Sequence, residues 1–164
     1  MRASLVLLVL LAALAVVSNA AAATFSYSVT TGSPVTVTGV TLNGVDQSKT
    51  FTIVSRVAYT GGNNSAGWKV QASATVPTSS GHTIPNLDVT AGTFSCATAC
   101  TTNPTNGVTY PLTLSTSAQT IYNADVNTGR GTFDVTNTFE MTYTANAFPG
   151  TYASTVTLTG STGP

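Results

Sequence analysis

Few side chains in this sequence are equipped for chemistry. It holds one histidine, His82, two cysteines, Cys96 and Cys100, and only five acidic and five basic residues in 164. A nucleophile served by His82 would have to be a free cysteine thiol or a serine, and no Gly-x-Ser-x-Gly elbow presents a serine. His82 lies in the polar run Ser79-Ser80-Gly81-His82-Thr83 and reads as a solvated loop residue. Glycoside hydrolysis needs two carboxyl groups facing across a cleft. Asp134 and Glu140 share one strand face but stand six residues apart, about 20 Å at the rise of a strand. Asp46, Asp88 and Asp125 neighbour turn residues, where Asp caps backbone amides. Asp125-x-Asn127-x-Gly129 opens like a calcium loop but lacks the closing glutamate. The expectation is a protein that is not an enzyme and carries no metal or cofactor.

The cysteines point elsewhere. Residues 1–23 carry Arg2, an apolar run from Leu5 to Val17 and small residues at 18–23, the pattern of a secretory signal peptide. The run is too short to span a bilayer core of about 30 Å. No second such run follows, and the end of the sequence shows no sortase signal or hydrophobic tail. An exported, oxidising context favours a Cys96–Cys100 disulfide. Zinc would need two further ligands. The pair is expected to close the tip of an irregular excursion at 77–109. Asn63-Asn64-Ser65 matches a glycosylation acceptor, relevant only in a eukaryotic secretory pathway.

Charged residues make up 6% of the chain and cancel to zero; loss of Arg2 leaves four basic against five acidic, a charge of −1. Nucleic-acid binding, which needs a basic face, is excluded, as is attachment to a membrane surface by basic residues. Thr occurs 33 times, and this β-branched residue suits a pleated, half-exposed surface.

The elements are strands. Phe133, Val135, Asn137, Phe139, Met141 and Tyr143 alternate with polar residues over 132–144, and Trp68, Val70, Ala72, Ala74 and Val76 do so over 66–76. Period-2 patterning with one apolar face predicts antiparallel sheets packed on a core. Weaker segments at 25–29, 35–42, 51–59, 87–94, 108–114, 119–122 and 152–159 bring the expectation to about nine strands in an antiparallel β-sandwich, a single domain over 24–164. Asn43-Gly44, Gly61-Gly62-Asn63-Asn64, Asn127–Gly131 and Pro149-Gly150 supply turns. Trp68 is expected in the core. Tyr59, Tyr110 and Tyr122, near strand ends, are the candidate ligand contacts.

Gly67-Trp68-Lys69-Val70-Gln71-Ala72-Ser73-Ala74 reads GWxVxxSA, and Pro149-Gly150-Thr151-Tyr152-Ala153-Ser154-Thr155-Val156-Thr157-Leu158 follows near the end. Together they resemble the WxL domain of Gram-positive surface proteins. Val70 stands at the Leu position of the first motif, and Val156-Thr157-Leu158 stands where the second Trp-x-Leu falls. The resemblance spans about residues 25–164, with Gly67, Trp68 and Val70 as structural motif residues. It implies a secreted protein of the bacterial cell surface that binds peptidoglycan non-covalently. The expected partners are cell-wall glycan and other surface proteins, with no nucleic acid and no membrane in the mature form. The rival expectation is a subunit of a surface layer or fibre assembling through strand edges.

Overall fold

The computed structural model describes residues 23–37, 40–61 and 66–164. Residues 1–22 of the expected leader at 1–23, residues 38–39, and residues 62–65 with the glycosylation acceptor at 63–65 lie outside the described residues. Those described form ten strands and no helix.

The longest alternation builds the centre. β9 (Arg130–Tyr143) buries Phe133, Val135, Asn137, Phe139 and Met141 and turns the intervening Thr, Asp and Glu residues outward. It pairs antiparallel with β2 (Gln47–Tyr59) along the whole of both strands, from Gln47↔Tyr143 to Tyr59↔Gly131. β1 (Phe25–Val29) adds to β2. β6 (Asp88–Thr102) flanks β9 on its other side, and the two-residue β7 (Leu112–Thr113) touches only the start of β6. A second antiparallel sheet has β3 (Trp68–Ala74) between β10 (Val156–Thr162) and β8 (Gln119–Ala124). A small hairpin, β4 (Thr78–Ser79) and β5 (His82–Thr83), is held to the segment before β10 by a bridge between Thr78 and Ala153.

The inner faces of the two larger sheets share one apolar core, with Trp68, Tyr59, Tyr122, Phe133 and Phe139 its largest buried side chains. The antiparallel β-sandwich expected from patterning is therefore what the chain forms. Along one side the sheets close on each other: a Cβ on Gly160 of β10 would lie 2.5 Å from the ring of Tyr27 on β1, so only glycine permits the approach. Asn137 and Ser55 are the polar residues on this inner face of β9 and β2, and the Asn137 Oδ1 has no partner.

Several expectations change. The described part of 35–42 is irregular, and Val35 and Val37 line a cleft. The excursion at 77–109 holds the hairpin of β4 and β5 and then the fifteen-residue strand β6. Its alternation is hidden because Gly92, Ser95 and Ala97 are small and because bulges after Val89 and Cys96 shift the parity of its faces. The Cys96–Cys100 disulfide forms, with Cα atoms 6.0 Å apart, but it spans a bulge inside β6 rather than a loop tip. Within 108–114 only Leu112 and Thr113 pair, since residues 105–110 spend their polar groups on β8. Val76 is exposed, beyond the end of β3.

Candidate functional site: an uncharged aromatic cleft

Of the three tyrosines expected to contact ligand, two are core residues. Tyr59 is 2% exposed and meets Phe25 edge-on at 6.5 Å between ring centroids. Tyr122 is also 2% exposed and stacks on Trp68 at 5.9 Å. Both lie on inward positions of strands that a second sheet covers, so nearness to a strand end does not expose them. Tyr110 is half-buried: its hydroxyl donates to the Ile121 carbonyl and accepts from the Asn106 amide at 3.1 Å, pinning 106–110 to β8. Burial raises the phenol pKa of Tyr122 and of Tyr110, the Asn106 hydrogen bond partly offsetting it for Tyr110. None of the three forms a platform for ligand.

The motif residues are structural. Trp68 and Val70 are fully buried, and the Trp68 indole N–H donates to the Gly129 carbonyl at 2.8 Å. Gly67 has φ +72°, and a Cβ there would lie 2.1 Å from the Ala124 carbonyl oxygen, so the turn into β3 requires glycine.

A cleft opens where the strands of the larger sheet outrun those of the smaller. β2 and β9 are 13 and 14 residues long, β10 and β3 seven each. At the overhang Phe51, Ile53, Met141 and Tyr143 meet Val156 and Leu158 across a cavity of about 850 Å³. Its lining includes Thr31, Ser33, Thr36, Thr151 and Ser154; the Thr31 hydroxyl accepts from the Val54 amide and the Ser154 hydroxyl donates to the Thr75 carbonyl. A hollow of about 350 Å³ continues it past Tyr143 and Tyr152 to Leu42 and Phe148. Among the described residues, no charged side chain lines either space. Tyr143 and Tyr152 meet edge-to-face at 6.0 Å, and the Tyr152 hydroxyl donates to the Phe148 carbonyl at 3.0 Å. Phe148, 57% exposed, stacks against His82 of β5 with centroids 3.6 Å apart. Partial burial raises the Tyr143 phenol pKa, and the neighbouring Tyr152 adds to the shift.

The lining offers aromatic rings and Thr and Ser side chains rather than charge. The ionic groups are elsewhere: Arg56 and Asp134 form a two-pronged pair at 2.8 and 2.9 Å on the outer face of the larger sheet. There the Arg56 guanidinium holds the Asp134 carboxyl below its ordinary pKa. Asp125 caps its turn, its carbonyl accepting from the Thr128 amide and hydroxyl. Among the described residues no three His, Cys, Asp or Glu side chains converge to hold a metal ion, and no helix is long and apolar enough to cross a membrane.

The cleft residues Tyr143, Phe148 and Tyr152 were not among the expected contacts. A signal for them exists in the sequence: three aromatics within ten residues around the Pro149-Gly150 turn. Comparison with protein-family models, with curated proteins and with solved structures gives no match for this chain.

Proposed function

We propose that this protein is a non-catalytic binding domain of the bacterial cell surface, which holds neutral glycan of the wall in the cleft between its sheets. The observation that carries the reading is the lining of that cleft and its extension: the rings of Tyr143, Tyr152 and Phe148, several Thr and Ser residues, and no charged side chain among the described residues. Sugar rings present apolar C–H faces that stack on aromatic side chains, and hydroxyls that pair with Thr, Ser and Tyr. The leader-like residues 1–23, the Cys96–Cys100 disulfide and the resemblance to WxL domains support action outside the cell.

Co-sedimentation with purified peptidoglycan tests the proposal. The wild-type protein is expected to pellet with the wall. Tyr152→Ala combined with Phe148→Ala is expected to weaken binding by about tenfold or more, the loss of two stacking contacts, while leaving the fold intact by circular dichroism. Unchanged binding in that variant, or no binding by the wild type, would overturn the proposal.

A further inference from the structure

The edges of the two larger sheets differ in what covers them. β1 and β10, which do not pair, pack against each other where the Tyr27 ring meets Gly160. The outer side of β8 is taken up by residues 105–110. Thr105 and the Asn106 side chain accept from the backbone N–H groups of Asp125 and Asn123, and the Tyr110 hydroxyl donates to the Ile121 carbonyl. β7 is two residues long. On β6, by contrast, β7 covers only Asp88 and Val89, and among the described residues the run from Ala91 to Cys96 has a ladder on its β9 side alone. Residues 93–99 are all exposed.

This open run, Ala91-Gly92-Thr93-Phe94-Ser95-Cys96, contains no charge and no proline, the residues by which proteins ordinarily blunt a strand edge. Its register with β9 is regular over these six residues and broken at both ends, after Val89 and after Cys96. Gly92, Phe94 and Cys96 lie opposite the inward-facing Asn137, Val135 and Phe133, so Phe94 is on the inner face. It is nevertheless 37% exposed, with Phe133 its one stacking partner.

We propose that this edge pairs antiparallel with the same edge of a second copy of the chain, joining two five-stranded sheets into one. The reading is independent of the glycan cleft, which lies beyond the run's partners on β9, at Met141 and Tyr143. A two-fold pairing uses the same patch twice, so the patch must complement itself. An uncharged run does so with no like charges brought together, and the near-neutral bodies behind it add little repulsion. Keeping inner faces on one side fixes the parity of the pairing. Two registers then lie equally close to the middle of the run, and we take the one that sets Phe94 opposite Phe94 of the second copy, where the two half-exposed rings can stack, and Thr93 opposite its Ser95. The bulge after Cys96, which the disulfide spans, carries each strand out of the ladder before it reaches β7 of the other copy. A six-residue contact is small, so the dimer is expected to be reversible and concentration-dependent.

The cross-strand pair of Thr93 and Ser95 supplies the test, since both lie on the outer, solvent face. Sedimentation equilibrium of the full mature chain over a concentration series is expected to show a monomer–dimer equilibrium. Thr93→Lys/Ser95→Lys puts like charges opposite each other at two places and is expected to raise the dimer dissociation constant by about tenfold or more. Thr93→Glu/Ser95→Lys puts opposite charges across the same pairs and is expected to restore or tighten the dimer. A wild-type chain that stays monomeric throughout overturns the proposal, even if the edge captures some other extended strand. Equal dimerisation by the two charge variants also overturns it.

Discussion

Trp68 shows how one side chain joins the parts of the fold. Its ring fills the centre of the smaller sheet against Tyr122, and its N–H reaches the carbonyl of Gly129 in the turn that leads into β9. Trp68→Ala is expected to cost about 3–5 kcal/mol, against a total stability of about 5–15 kcal/mol. Trp68→Phe keeps most of the packing and loses the hydrogen bond, worth about 1 kcal/mol. Denaturant titration of both variants checks the ordering; equal stability of Trp68→Ala and wild type would place this ring outside the core. The buried tyrosines set a limit at high pH. Desolvation raises the phenol pKa of Tyr27, Tyr110 and Tyr122 above the ordinary value, so the folded state holds these protons more tightly than the unfolded chain. Their contribution is intact below about pH 10, where the free phenol titrates, and is lost as pH rises through the raised folded values. Thermal melts are therefore expected to show stability falling from about pH 10 upward, with phenolate absorbance appearing together with unfolding. Phenolate formation well before unfolding would contradict the burial of these groups.

At the scale of elements, what the sequence reveals depends on how local the cause is. β9 is legible because every second residue from Phe133 to Met141 is apolar except Asn137, and its neighbours on both sides are equally long. β6 is not, because small residues flatten its alternation and two bulges reverse its parity. The cleft is illegible for a different reason: Tyr143 continues the inward pattern of β9 and reads as core. It is left half-exposed because β10 begins only at Val156, a fact about a partner strand. The same distinction governs the disulfide. Cys96–Cys100 closes a very short loop, so its effect on the unfolded chain is at or below the low end of about 2–4 kcal/mol. Reduction is expected to lower the melting temperature by only a few degrees, since about 1 kcal/mol shifts a domain of this size by roughly 2–8 °C. Amide exchange should speed up mainly at residues 96–102. Global unfolding on reduction would show that the bulge organises far more of β6 than its own turn.

Across the whole molecule, charge is scarce, and among the described residues none of it lines the cleft, although Lys49 pairs with the cleft residue Met141. Arg56 is paired with Asp134 across two strands. The Arg130 guanidinium donates through Nε to the Thr102 hydroxyl, and the Lys69 ammonium lies 3.3 Å from a Pro164 oxygen. Neither these cations nor Lys49 lines the cleft or its extension. Folding thus gathers rings and hydroxyls at one end of the sandwich without assembling a basic patch there. Ionic contacts between exposed groups contribute about 0–1 kcal/mol each and fade beyond a Debye length of about 8 Å in physiological salt. Hydrogen bonds and ring stacking carry no such dependence. Binding to purified wall material, measured by co-sedimentation, is therefore expected to fall less than about threefold between low salt and roughly 0.5 M salt. A steep loss would mean that anionic wall polymers are held by charges remote from the cleft, and the neutral-glycan reading of Tyr143, Phe148 and Tyr152 would have to be abandoned.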